Sequence, residues 1–112
     1  MNEEHFYEPV VGITFDERQN VVSKLFEGEA LTLRREPCHP YLDNAIMVLR
    51  ENGDQVGYIR RDLADTLIPR MAALEMDTVD ASVVSLTGGA YPGAYRGVRI
   101  LFSLPEPEYA EV

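Results

Sequence analysis

Cys38 and His39 stand side by side in a segment bracketed by Pro37 and Pro40. A thiolate beside an imidazole is the raw material of a nucleophile or a metal pair. Sequence neighbours in extended chain point apart, however, and His5 is the sole other histidine. Such sites need several converging groups, so a loop cysteine and an exposed histidine are expected, with no catalytic residue and no metal. Residues 88–97 are glycine-bearing but lack the Gly-Lys-Ser/Thr ending of a phosphate loop. A strand follows them where a phosphate loop needs a helix N-terminus. Tyr91 and Tyr95 in that segment still offer rings for stacking on bases. Neither His-Glu-x-x-His nor Gly-x-Ser-x-Gly occurs, so no hydrolase signature is present, and no cofactor is implied.

A better constellation lies on either side of a predicted hairpin. Tyr41, Asp43 and Asn44 lead into the apolar run Ala45-Ile46-Met47-Val48-Leu49, and Tyr58, Arg60 and Arg61 follow the return run 55–59. The intervening Asn52-Gly53 is the pair that favours a tight turn with positive φ. In a hairpin the start of one strand lies beside the end of its partner. Residues 41–44 are therefore expected near 58–61, gathering two aromatics, two guanidiniums, a carboxylate and an amide. Base stacking on an aromatic contributes about 1–3 kcal/mol, and arginine forks suit phosphate. Spacing alone leaves open whether Tyr41 instead belongs to the core and Asn44 to a turn.

The elements that must position these groups follow from periodicity. Residues 8–14 read as a β-branched strand, and 30–35 as a second with Leu31 and Leu33 on one side. Residues 44–50 and 55–59 form the hairpin, and 78–86 and 97–104 complete about six strands. Asp16 is expected to cap a short helix reaching Leu25 and Phe26. Asp62, with Asp65 three residues on, is expected to cap a longer one. Leu63, Leu67, Met71 and Leu74 would give the longer helix its buried face, with Pro69 kinking or splitting it. Short sequential strands with one or two flanking helices predict a mainly β protein, a small OB-like β-barrel. Residues 1–8 read as a flexible acidic N-terminus, 9–104 as the domain and 105–112 as an acidic tail.

The 112 residues suit one domain. A lone cysteine excludes an internal disulfide, and no apolar run nears the roughly 20 residues that span a bilayer. A soluble protein of the cytoplasm, without membrane contact, is expected. The formal net charge is −9, unevenly spread. Residues 1–30 carry seven acids and two bases, and 71–112 carry six acids and two bases. The middle segment, 31–70, balances six acids with six arginines. That excludes a long basic coat for nucleic acid but leaves room for a small aromatic-led site.

The same residues resemble the HIRAN domain family over about 10–104. The resemblance rests on Val10-Val11-Gly12 and Leu31-x-Leu33-x-Arg35-Glu36-Pro37. It rests further on His39-Pro40-Tyr41-Leu42-Asp43-Asn44-Ala45-Ile46 and Gly57-Tyr58-Ile59-Arg60-Arg61-Asp62-Leu63-Ala64. It implies a small barrel that binds single-stranded DNA, in some members at the 3′-hydroxyl end, through aromatics, basic residues and a carboxylate. By position, Tyr41 would stack on a terminal base and Phe15 would supply a second ring. Tyr58 and Arg61 would hold the backbone, and Tyr95 would add a loop aromatic. Leu42 stands where the family carries the aspartate that receives the hydroxyl, and Thr14 stands at a basic position. The expectation is a non-catalytic single-stranded-DNA-binding module working beside a DNA-processing protein. The alternative is an acidic protein-interaction module or DNA mimic, motivated by the acidic ends.

Overall fold

A computed structural model describes residues 2–36, 45–89 and 95–106. In chain order the elements are β1 (Glu3–Pro9), α1 (Arg18–Val22), β2 (Ala30–Glu36), β3 (Ala45–Arg50), β4 (Gln55–Tyr58), α2 (Arg61–Ala73), β5 (Thr78–Gly88) and β6 (Arg96–Pro105). The six strands form one antiparallel sheet in the order β1-β6-β5-β2-β3-β4. It curls into a half-barrel of the expected mainly β type. No helix among the described residues is long and apolar enough to cross a membrane.

Alternation builds this sheet. Leu31 and Leu33 of β2, Ile46 and Val48 of β3, and Val79, Ala81 and Val83 of β5 are buried on its inner side. In β6 every second residue, Val98, Ile100, Phe102 and Leu104, joins them. Helix α2 adds Ala64, Leu67, Ile68 and Met71 to the same cluster at helical spacing. Burying each large side chain contributes about 1.5–3 kcal/mol.

Two residues join the outer strands. Leaving β1, Val10 donates its N–H to Val98 of β6 at 2.9 Å. Val11 then exchanges both backbone hydrogen bonds with Tyr58 of β4, each at 2.9 Å. The crossing chain passes directly over Gly57. A Cβ there would run into the Val11 carbonyl oxygen and lie 2.7 Å from a Val10 methyl. Only glycine admits so close a backbone approach.

Several expectations are corrected. Residues 3–9 form a strand and not a flexible terminus, and the strand expected over 8–14 ends at Pro9. This acid-rich segment is too polar to read as a strand, yet it needs to bury little at the sheet's edge. Phe6 supplies the anchor, stacking on Phe102 at 4.9 Å. At the other end Pro105 belongs to β6, and Glu106 donates its N–H to Asn2. Asp16 does not cap α1. Asp16 and Glu17 both take left-handed conformations, and α1 is limited to 18–22. Helix α2 starts at Arg61 with Arg60 as its cap residue, and no side chain caps it. It runs through Pro69 as one element. The roughly 3 kcal/mol that an internal proline costs is offset by the burial of Leu67, Ile68 and Met71. Leu74 falls beyond the helix end and is exposed, while Met76 turns back onto the core.

Candidate nucleic-acid interface

Where β1 gives way to the barrel closure, Gly12 turns the chain with φ +70°. Its carbonyl accepts a 2.8 Å hydrogen bond from Nη1 of Arg18, the first residue of α1. That guanidinium sits 5.1 Å from the centre of the Tyr58 ring, a cation–π contact. A Cβ on residue 12 would lie 3.3 Å from Arg18 Nη1 and 3.6 Å from Tyr58 Cδ2, so the glycine keeps these groups in place. The Tyr58 hydroxyl donates to Glu36 Oε2 at 2.7 Å, two strands away. Burial pushes the Tyr58 phenol above its ordinary value, and the Glu36 carboxylate adds to the rise.

Two exposed rings border this core of the site. Phe15 is 66% exposed, and its backbone is tied to Gly12 on one side and Arg18 on the other. Tyr95 is 70% exposed at the foot of β6. Gln19 joins their supports. Its Nε2 donates to the Ile13 and Arg96 carbonyls, both at 3.1 Å, and its Oε1 accepts the Arg96 N–H at 2.9 Å. One side chain of α1 thereby holds the Phe15 turn against the strand that follows Tyr95.

The structure thus brings Phe15, Tyr58 and Tyr95 into one neighbourhood. It turns Arg60 elsewhere. That guanidinium donates to Glu8 of β1 at 2.8 Å and also pairs with Asp62. The hydrogen bond to Glu8 raises its already high pKa, although desolvation opposes this. Arg61 is exposed at the first position of α2. Tyr41, Asp43 and Asn44 lie outside the described residues, as do Cys38 and His39. Arg18, Gln19 and Glu36 are contributors that sequence reasoning did not assign to the site. The one available signal is Gly12 followed six residues later by a base in a short helix, too common a pattern to single out.

A HIRAN domain family model matches residues 4–103, a span that starts inside β1 and ends in β6. The chain belongs to the HIRAN domain family. HIRAN domains form a DNA-binding family. Among characterised proteins, this HIRAN chain resembles the helicase-like transcription factor of Oryctolagus cuniculus, with 51% identity over 40 residues. The match covers 36% of this chain and 4% of that protein. For the Mus musculus protein the identity is 53% over 37 residues, or 33% of this chain and 4% of that one. The matched stretch is thus a small fraction of these much longer relatives. Among solved structures, a Lactobacillus plantarum protein superposes with a TM-score of 0.64 at 22% identity, covering 91% of this chain and 98% of that one. The HIRAN domain of human HLTF superposes with a TM-score of 0.61 at 26% identity, covering 91% and 77% respectively.

Proposed function

We propose that this HIRAN domain binds single-stranded DNA, with a preference for a 3′ end, and carries out no chemistry of its own. The observation that supports this most is the pair of exposed rings, Phe15 and Tyr95, on backbone segments that Gln19 ties together through Ile13 and Arg96, beside the Arg18–Tyr58 contact. Exposed aromatics cost solvation when left bare, and a base offers a flat face to cover them. In this proposal Phe15 and Tyr95 stack on bases, Tyr58 lines the floor, and Arg61 meets phosphate. Tyr41, Asp43 and Asn44 complete the end-binding side. Arg60, engaged by Glu8 and Asp62, acts as a support. The partner protein is a DNA-processing enzyme to which the module brings an end.

Net charge shapes the expected energetics. At −9 the chain as a whole repels nucleic acid, so stacking leads and electrostatics is local. The test is fluorescence anisotropy of a short labelled single strand with the full chain, at low and moderate salt. Saturable binding that weakens moderately with salt is expected, stronger for a 3′-hydroxyl than for a 3′-phosphate end. Absence of binding at low salt by folded protein at high concentration overturns the proposal.

A further inference from the structure

The outer face of the sheet beside Tyr58 carries a row of side chains that the site described above does not use. Tyr58 of β4 is the direct cross-strand partner of Met47 in β3. Met47 is the direct partner of Arg34 in β2, and Arg34 of Thr78 in β5. Directly opposed residues project to the same side of a sheet, so all four share one face. Their strands' inner positions, Leu33, Ile46, Val48 and Val79, fill the core. Neighbouring strands lie about 4.8 Å apart, which places the Arg34 backbone about 10 Å from that of Tyr58.

Arg34 differs from four of the nine arginines of this chain. Arg18, Arg50, Arg60 and Arg70 are each held in an ion pair. Arg34 is exposed and makes no hydrogen bond or ion pair among the described residues. The acids on its face are Glu36, whose carboxylate already accepts the Tyr58 hydroxyl, and the exposed Asp80 beside Thr32. Its neighbour Arg35 projects to the opposite side, where it lines a cleft with Ile68 and Met71 of α2 and with Glu75 beyond the helix. Met47 is half-buried between Arg34 and Tyr58. It offers an adaptable thioether surface on which a ring can lie.

We infer that the nucleic-acid path continues from Tyr58 across β3 and β2, with Met47 supporting a base and Arg34 binding the phosphate beyond it. The inference rests on the proposed single-strand binding and adds its direction, across the strands and not along the rim. A free guanidinium needs no ion pair broken before it meets phosphate, and its planar fork suits that group. The row is continuous with the Arg18–Tyr58 contact, so one strand of nucleic acid touches both.

The test compares a trinucleotide with an oligothymidine of about ten nucleotides, using the full-length chain and the variants Arg34→Ala, Met47→Ala, Arg35→Ala and Phe15→Ala. Circular dichroism establishes that each is folded. Arg34→Ala is expected to weaken the longer ligand about five-fold and to flatten its log–log salt dependence by about 0.7. The trinucleotide should be little affected, and Arg35→Ala should match the parent chain for both ligands. Met47→Ala should weaken the longer ligand without changing the salt dependence. If Arg34→Ala binds the longer ligand like the parent while Phe15→Ala has lost binding, the path does not cross β2 and the proposed site survives. If the parent chain binds neither ligand, the single-strand function itself is overturned, and this path with it.

Discussion

The Arg18 guanidinium lies 5.1 Å from the Tyr58 ring centre while its Nη1 donates a 2.8 Å hydrogen bond to the Gly12 carbonyl. One side chain thereby fastens a five-residue helix, the barrel-closing turn and β4 to one another. Helix α1 is too short to be stable on propensity alone, so such tertiary ties must hold it. The buried side chain of Val22 provides another.

Replacing Arg18 with Ala removes a cation–π contact and a bond to backbone, a loss of about 1–3 kcal/mol in stability. Asp16→Asn should change stability by less than about 0.5 kcal/mol. Its carboxylate reaches Arg18 only at 3.3 Å and from solvent, and asparagine tolerates the left-handed backbone. Urea unfolding of both variants checks the contrast. Equal losses would show that the ion pair, and not the ring contact, anchors the helix.

Gly57→Ala places a methyl where the Val11 carbonyl and a Val10 methyl already lie. The closing bridge between Val11 and Tyr58 must then shift. A cost of about 1–3 kcal/mol is expected, together with faster amide exchange at Val11 and Tyr58. Unchanged exchange at those two amides would refute a crowded crossing.

Phe15→Ala separates folding from binding. The side chain is largely solvated, so stability should stay within about 0.5 kcal/mol of the parent. Loss of a stacked base should weaken single-strand binding by about 1–3 kcal/mol, or roughly 5- to 150-fold. Thermal unfolding and anisotropy, run on the same preparation, read the two effects.

Alkaline titration reads the Tyr58 environment. Its phenol is raised above the ordinary tyrosine value of about 10, chiefly by burial. A group whose folded value is raised holds its proton better in the fold than in the open chain. Its contribution is therefore complete below about pH 10 and disappears as pH climbs through the folded value. The parent chain should lose stability above pH 10 more steeply than Tyr58→Phe, and one tyrosine should ionise late by near-ultraviolet absorbance. Identical pH profiles for the two proteins would contradict a shielded, Glu36-bonded hydroxyl.

Most of the sheet is legible in the sequence. Leu31 and Leu33 in β2, or Val98 through Leu104 in β6, alternate with polar positions, and that period is a local property of the chain. So is the Asn52-Gly53 turn, where Gly53 adopts φ +93°. The Leu67 and Met71 spacing of α2 is equally local. Less was readable at the termini. Residues 3–9 show few apolar positions, and what makes them a strand is a partner about a hundred residues away: Glu3 faces Pro105 and Phe6 faces Phe102.

The candidate site divides along the same line. Phe15, Tyr58 and Tyr95 could be chosen from residue type and family resemblance, because aromatic chemistry belongs to the side chain itself. Which of them share a surface, and which cations remain free to serve it, is set by contacts between distant segments. Arg60 and Arg34 look alike in sequence, yet Glu8, fifty-two positions away, engages the first, and no described group engages the second. Charge is inherited from the sequence, whereas its availability depends on which carboxylate the fold brings within reach. A salt bridge or a hydrogen bond forms only over a few ångströms, and only the tertiary structure sets that distance.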